Sequence, residues 1–353
     1  MDIDKELISI GMPTANRPIL FKIALDDIIN QTHKKIEIII SDNYPKDNET
    51  EKLVQEYSKK DCRIKYFRQK TKLSAPQNFS FVLSKAKGTF FVWAADDDRR
   101  EKNFIEDLLK SFKEYPECSL VHSEPFLLDQ HNIKSLNIFK SYINTLGLSK
   151  ISSVRNVLIN QNLNNEIWGV FKTELIKDFI FPPIYGSDHA ILLYAALKGP
   201  IFKGTPGLLL MRTGGAGSSP ERVIEDMGIK RNIFNLYFCY ISQSLGLIRY
   251  LFKSKYLRFF EKFIIIFIVF ERTFFVKLYR DSIKSDFLRL FEKIKKMGRL
   301  RVIYHRIKNL PKEIKGRYYN FINHYRVYSA FKKYVSLPKN EIKNFNNIAI
   351  VSL

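Results

Sequence analysis

GTFFVWAADDD, residues 88–98, runs through Thr89–Ala95 as an apolar, aromatic and β-branched stretch and then breaks into Asp96, Asp97 and Asp98. A short apolar run of this kind bounded by turn residues reads as a buried strand. Three carboxylates at its end repel one another and are costly together unless a cation joins them. Carboxylate oxygen is the donor that Mg²⁺ and Mn²⁺ prefer. A solvated acidic turn is the plain alternative, since Asp is common in loops, so the neighbouring segments have to decide.

Upstream, residues 7–12 (LISIGM) and 36–40 (IEIII) are two further short apolar runs that end at turn-like segments. Between them Ile19, Leu20, Ile23, Ala24 and Ile28 recur at helical spacing, which makes a βαβ unit with a right-handed crossover. The spacing predicts a second helix over 49–60 with Leu53, Val54 and Tyr57 on one face, a strand over Ile64–Phe67, and a third helix over 77–87 carrying Phe79, Val82, Leu83 and Ala86. Gly88 is placed to cap that third helix. Beyond the aspartates come a helix over 103–112 and a strand over 119–123, while 125–165 carries no assignment. This alternation predicts an α/β fold with an open, doubly wound, mostly parallel Rossmann-like sheet, whose ligands sit at the carboxyl ends of the strands. Pro13–Arg17, Asp42 and Asp96–Asp98 all fall at such ends and face one crevice.

The ordered set ISIGMPTANRP (8–18), IIISDN (38–43) and KGTFFVWAADDD (87–98) resembles the nucleotide-binding half of inverting family 2 glycosyltransferases of the GT-A fold, of the bacterial polysaccharide and surface-glycan type. The likeness is close over 7–125 and looser over 166–219. It implies transfer of a sugar, with inversion, from a nucleotide-diphosphate donor to a saccharide or lipid-linked saccharide acceptor. It also implies a divalent metal, Mn²⁺ or Mg²⁺. Carried onto this chain, Pro13, Thr14, Ala15 and Asn16 form the edge under the base, Asp42 accepts from the base ring, and Asp96 lies near the ribose. Asp97 is then the main metal ligand with Asp98 beside it. Ala15 and Ser41 depart from the pattern: the first stands where an aromatic often stacks on the base, and the second replaces the first acid of a usual pair.

The same resemblance assigns the catalytic base to Asp188 in GSDHAILLYAALKG (186–199), a position that also suits a helix N-cap. GLLLMR (207–212) leads into a glycine-rich loop, Thr213–Ser219, read as a lid that brings Arg212 and Ser218 near the phosphates. NNEIWGVFKTEL (164–175) looks like the acceptor-side segment, with Trp168 stacking on a sugar ring.

Charge divides the chain. Residues 230–353 hold 27 Lys and Arg against 7 Asp and Glu, a net +20, whereas 1–229 hold 31 against 29, a net +2. The expected organisation is a catalytic domain over 1–229, with a donor half (1–125) and an acceptor half (126–229), followed by a basic, aromatic-rich helical tail over 230–353. Such a tail points to an anionic partner, a membrane surface or nucleic acid. Tyr256–Tyr279 is apolar and aromatic, but its uninterrupted core, Phe263–Phe270, is far shorter than the ~20 residues a span requires. It reads either as an interfacial helix or as one packed on the catalytic domain. Three widely separated cysteines and a polar, acidic start fit a cytoplasmic protein, peripheral at the inner face of the membrane.

Two other functions compete. Nucleic-acid binding through the tail lacks a recognisable recognition motif. A sugar-nucleotide pyrophosphorylase would require glycines that GMPTANR (11–17) does not have. HExxH, G-x-S-x-G and a G-x-G-x-x-G after the first strand are all missing, which argues against zinc and serine hydrolases and against a dinucleotide cofactor.

Overall fold

The structure, a computed structural model, describes residues 5–129, 134–161, 164–212, 220–231, 233–276, 281, 283, 285 and 286. The first half alternates as expected: β1 (Ile8–Thr14), α1 (Pro18–Ile29), β2 (Ile36–Asp42), α2 (Glu49–Ser58), β3 (Ile64–Arg68), α3 (Ala75–Ser84) and β4 (Phe90–Trp93). It continues through β5 (Arg99–Arg100), α4 (Phe104–Glu114), β6 (Leu120–His122), β7 (Phe126–Leu128), β8 (Lys134–Ile138), α5 (Lys150–Asn160) and a 3₁₀ turn, Asn165–Trp168. Then follow β9 (Val170–Lys172), α6 (Thr173–Ile176), α7 (Asp188–Lys198), β10 (Ile201–Lys203), β11 (Leu209–Arg212), α8 (Pro220–Asp226), α9 (Ile233–Tyr237), α10 (Cys239–Phe252) and α11 (Phe259–Phe275).

The main sheet has the strand order β10-β6-β9-β4-β1-β2-β3. β3, β2, β1 and β4 are mutually parallel, as are β6 and β10; β9 alone runs antiparallel to its neighbours β4 and β6. Every residue of β1 and of β2 is buried, the pattern of central strands covered on both faces by helices. A smaller sheet, β5-β11-β7-β8, takes β7 and β8 from the segment that the sequence left unassigned and β11 from the run GLLLMR.

Local differences from the sequence reading have plain causes. α1 buries Phe21, Ala24, Leu25 and Ile28, while Ile19 is 77% exposed. The period was right, but the bulkier Phe21 turns the core-facing stripe away from Ile19. α3 begins at Ala75 because Ser74 caps it, accepting from the Gln77 N–H while the Gln77 side chain accepts from the Ser74 N–H. It ends at Ser84, so Gly88 is not its cap. Gly88 is required instead by a close approach to the segment entering β1, where an added Cβ would lie 2.4 Å from the Leu7 carbonyl oxygen.

Packing does not follow charge. The first compact unit runs from Met1 to Arg272 and the second from Thr273 to Leu353, so α9, α10 and α11 as far as Arg272 belong to the first although the basic bias begins at 230. Arg155 on α5 forks onto Glu271 of α11 at 3.1 and 2.6 Å, and Arg272 donates to Gln243 Oε1 on α10 at 2.9 Å. All four of these side chains are buried. Among the described residues no helix is long and apolar enough to cross a membrane.

Gly88→Ala tests the close packing at the start of β4. It is expected to cost about 2 kcal/mol or more in urea unfolding; a loss within about 0.5 kcal/mol would show that the contact with Leu7 relaxes freely.

Candidate active site

β1 and β4 are parallel neighbours, with Gly11 beside Trp93, so the turns that follow them open at one edge of the sheet. There the Thr14 hydroxyl donates to Asp96 Oδ2 at 2.8 Å and the Ala15 N–H to the same oxygen at 3.4 Å. Arg17 Nη1 donates to Asp96 Oδ1 at 3.1 Å and to Asp97 Oδ2 at 2.9 Å. Asp98 Oδ1 accepts from the Arg212 backbone N–H at 2.8 Å, and Arg212 Nε donates to the Asp97 carbonyl at 3.3 Å. The acidic turn therefore joins β1 to β11 through Arg212. Ser218 and the glycine-rich loop lie outside the described residues.

Asp96 and Asp98 are buried, whereas Asp97 is only partly so. Burial pushes the Asp96 carboxyl up to about 6, against the opposing charge of Arg17. It pushes Asp98 up to about 7, with the Asp97 charge adding to the effect. Two of the three acids are thus held where their negative charge is poorly compensated.

β2 ends one strand over, with Asp42 in register with Thr14. Its carboxylate is fully buried; Oδ2 accepts from the Tyr66 hydroxyl at 2.8 Å, and Oδ1 has no hydrogen-bond partner. Burial raises this carboxyl above the ordinary range, and the Tyr66 hydrogen bond opposes the rise. A buried acceptor without a donor is costly, and an N–H presented at this edge would satisfy it. The Asn43 N–H donates to the Thr14 carbonyl at 2.9 Å, and the Lys46 N–H to Asn16 Oδ1 at 2.8 Å, which stitches the two turns together. Asn16 and Tyr44 both have left-handed backbone, φ 54° and 48°, and Tyr44 is 56% exposed. Ser41, at the position where the family has an acid, is buried and donates to Asn78 Oδ1 at 2.6 Å. It therefore fastens β2 to α3 instead of facing the cleft.

No three His, Cys, Asp or Glu side chains among the described residues converge as a ready-made metal site. Of the two proposed ligands, Asp97 is the more open, and Asp98 has one oxygen engaged by Arg212. Such a donor set fits Mg²⁺ or Mn²⁺ held by one or two carboxylates that takes its other ligands from phosphate and water.

On the other flank, Asp188 opens α7 and its Oδ2 accepts from the Asn164 amide at 2.7 Å. The helix N-terminus favours this negative charge. The N-cap position is occupied by Ser187, which makes no capping hydrogen bond, so Asp188 is the first residue of the helix and not its cap. Asn164 is itself left-handed, φ 52°, and immediately precedes the Asn165–Trp168 turn. Trp168 is partly buried and its ring packs 6.1 Å from that of Phe79, which stacks 6.5 Å from Trp93. Trp168 therefore belongs to an aromatic cluster bordering β4, with only part of its surface available to a ligand. Tyr44 was not singled out by the sequence, and Arg17 and Asn164, which fall in segments placed at the site (13–17 and 164–175), were given no role there. Their roles arise from backbone conformation and from pairing across distant segments, and motif spacing carries neither.

Residues 9–167 match the sequence model of Glycosyl transferase family 2. Among curated proteins, the chain is 29% identical over 192 residues to GalNAc(5)-diNAcBac-PP-undecaprenol beta-1,3-glucosyltransferase of Campylobacter jejuni, covering 52% of this chain and 58% of that one. It is 29% identical over 205 residues to Glycosyltransferase GlyA of Streptococcus pneumoniae, covering 57% of this chain and 27% of that one. The chain thus spans less than two thirds of either relative. Among solved structures, S. aureus TarS 1-349 in complex with UDP-GlcNAc superimposes with a TM-score of 0.58 at 16% identity, over 83% of this chain and 80% of that one. That likeness supports the GT-A-type fold.

His189, next to Asp188, gives this flank a pH signature. Burial, with Arg272 nearby, pushes its imidazole down to about 4, and the Asp188 charge opposes the shift. Its Nδ1 lies 2.7 Å from Gln161 Oε1. The neutral ring contributes stability that is full above about 6.5 and is lost as pH falls through about 4. His189→Asn is expected to flatten the fall in urea midpoint between pH 6.5 and 4; an unchanged slope would contradict a buried neutral imidazole.

Proposed function

Residues 9–167 belong to Glycosyl transferase family 2, and on that premise we propose that the chain transfers a sugar with inversion from a nucleotide-diphosphate donor to a saccharide or lipid-linked saccharide acceptor in surface-polysaccharide synthesis. The observation that carries this reading is the unpartnered, fully buried Asp42 Oδ1, set in register with Thr14 at the same sheet edge as the Asp96–Asp98 turn. A base N–H satisfies Asp42, the Pro13–Asn16 edge supports the ring, and the ribose and diphosphate then lie toward Asp96 and Arg212. Tyr44 supplies the exposed aromatic surface that Ala15 lacks at this edge.

The donor half is residues 1–125 and the acceptor half 126–229. Asp97, with Asp98 beside it, would hold a divalent Mn²⁺ or Mg²⁺, which when bound would supply Lewis-acid stabilisation to the leaving diphosphate. Arg17 adds a fixed positive charge beside Asp96 and Asp97. Asp188 takes the proton of the acceptor hydroxyl as that oxygen attacks the anomeric carbon, on the face opposite the leaving diphosphate. The Asn164 amide fixes one oxygen of this carboxylate and so orients the base. Trp168 contributes its accessible edge to the acceptor sugar. The basic bias of residues 230–353 holds the enzyme at an anionic membrane surface, where a lipid-linked acceptor resides. The C. jejuni relative, whose name describes an undecaprenol-linked substrate, supports that acceptor class.

A thermal-shift screen of nucleoside diphosphates with and without Mn²⁺ tests donor binding. One nucleotide is expected to raise Tm, with the rise lost in Asp97→Asn; no shift with any nucleotide would overturn the reading. Asp188→Asn is expected to lower kcat roughly 10²–10⁴-fold while the nucleotide-induced shift persists. Wild-type turnover by this variant would remove Asp188 as the base.

A further inference from the structure

The turn between α10 and α11 carries an aromatic tip ringed by cations. Phe259, Phe260 and Phe263 are 75%, 57% and 45% exposed, although a phenylalanine has no polar end to keep in water. Phe259 and Phe263 lean on each other edge to face at 5.1 Å, and Phe252 packs on Phe263 at 5.8 Å, so the rings form one patch. The opposite side of α11 is firmly seated, with Leu257, Ile265, Ile268 and Val269 buried beneath it.

Charge around the tip is sorted by sign. Lys253, Lys255 and Arg258 are exposed and Lys262 is partly so, while Lys198 lies 4.3 Å from the ring centre of Tyr256 and Lys150 donates to the Tyr256 carbonyl at 3.0 Å. The acids of α11 point the other way. Glu261 is 8% exposed and accepts from the Arg258 N–H at 2.7 Å, and Glu271, also 8% exposed, is paired with Arg155. Arg258 Nε also lies 3.9 Å from Glu261 Oε1, so the excess positive charge of the outward surface rests on Lys253, Lys255 and Lys262, beside the exposed apolar rings.

We propose that this tip is a membrane-docking surface, with Phe259, Phe260 and Phe263 entering the headgroup boundary of an anionic lipid bilayer while the surrounding lysines and Arg258 stay at the phosphate level. An interfacial element needs this pairing of inserted rings and a cationic rim. Other occupants fit less well. Residues 273–353 carry 19 Lys and Arg against 5 Asp and Glu, so their charge has the same sign as the rim. A second copy would bring the same cations face to face. Single-stranded nucleic acid is bound by rings on which successive bases stack, whereas here Phe259 and Phe263 stand at 73° to each other. The inference deepens the membrane part of the proposed function by naming the surface, and it does not depend on the donor chemistry.

Flotation of the full chain with vesicles tests it, using phosphatidylcholine alone and phosphatidylcholine mixed with phosphatidylglycerol, at low and high salt. Wild type is expected to float with the anionic vesicles. Phe259→Ser/Phe260→Ser, with unchanged circular dichroism and melting temperature, is expected to lose at least tenfold in partitioning. Phe260→Trp is expected to retain binding and to shift its fluorescence to the blue. If wild type stays unbound, both this surface and the membrane reading fall. If wild type and the double variant float equally, the surface falls and the basic region alone suffices. If the double variant instead abolishes self-association or a nucleic-acid gel shift while vesicle binding is unchanged, the tip serves a second copy or a polyanion and the proposal is overturned.

Discussion

Burying carboxylates at the carboxyl edge of a parallel sheet is the constraint around which this molecule is arranged. Asp42, Asp96 and Asp98 are withdrawn from water at the ends of β2 and β4, and burial raises all three carboxyls. A sheet of this topology brings consecutive strand ends to one crevice, so acids far apart in sequence share a single electrostatic environment. Arg17 and the Arg212 N–H offset part of the charge, and Asp42 keeps one oxygen without a donor. A site that is incompletely compensated in this way binds a cation and hydrogen-bond donors more strongly than a well-solvated acidic turn would.

The rest of the fold serves that edge. Ser41 ties β2 to α3, the Ser74 box starts α3 where it can cover β1 and β2, and Gly88 lets the chain come up against the Leu7 carbonyl before β4 begins. The small sheet brings β11 alongside β5 and delivers Arg212 to the acidic turn from a distant part of the sequence. α10 and α11 are fastened to the fold through the buried Arg155–Glu271 pair and the Arg272–Gln243 contact, and they present the aromatic tip on the outside.

The alternation of the first half was legible because β-branched runs and helical periods are local signals, and every strand and helix read over 7–123 is present. Asp96, Asp97, Asp98 and Asp42 were legible as strand-end acids for the same reason. The face of α1 was misjudged because periodicity gives the spacing of a stripe, and side-chain volume then decides which stripe packs. Strands β7 and β8 were obscure because they are only three and five residues long, whereas β11 lies in the strand-like run GLLLMR. Tyr44 was not singled out, and Arg17 and Asn164 were given no role, since Tyr44 and Asn164 depend on left-handed backbone and Arg17 on a contact formed only by the folded chain. The outward face of α11 could not be told from its inward face until Glu261 and Glu271 were seen to turn toward the protein.

Titration calorimetry of uridine, guanosine, cytidine, adenosine and thymidine diphosphates into the wild type and Asp42→Asn tests the central claim most directly, because in the proposed function Asp42 Oδ1 accepts from the base and from no other part of the donor. The account requires wild type to prefer one base by at least tenfold and Asp42→Asn, with an intact fold, to lose that preference. Equal binding of all five diphosphates by both proteins, or binding by neither, would contradict it.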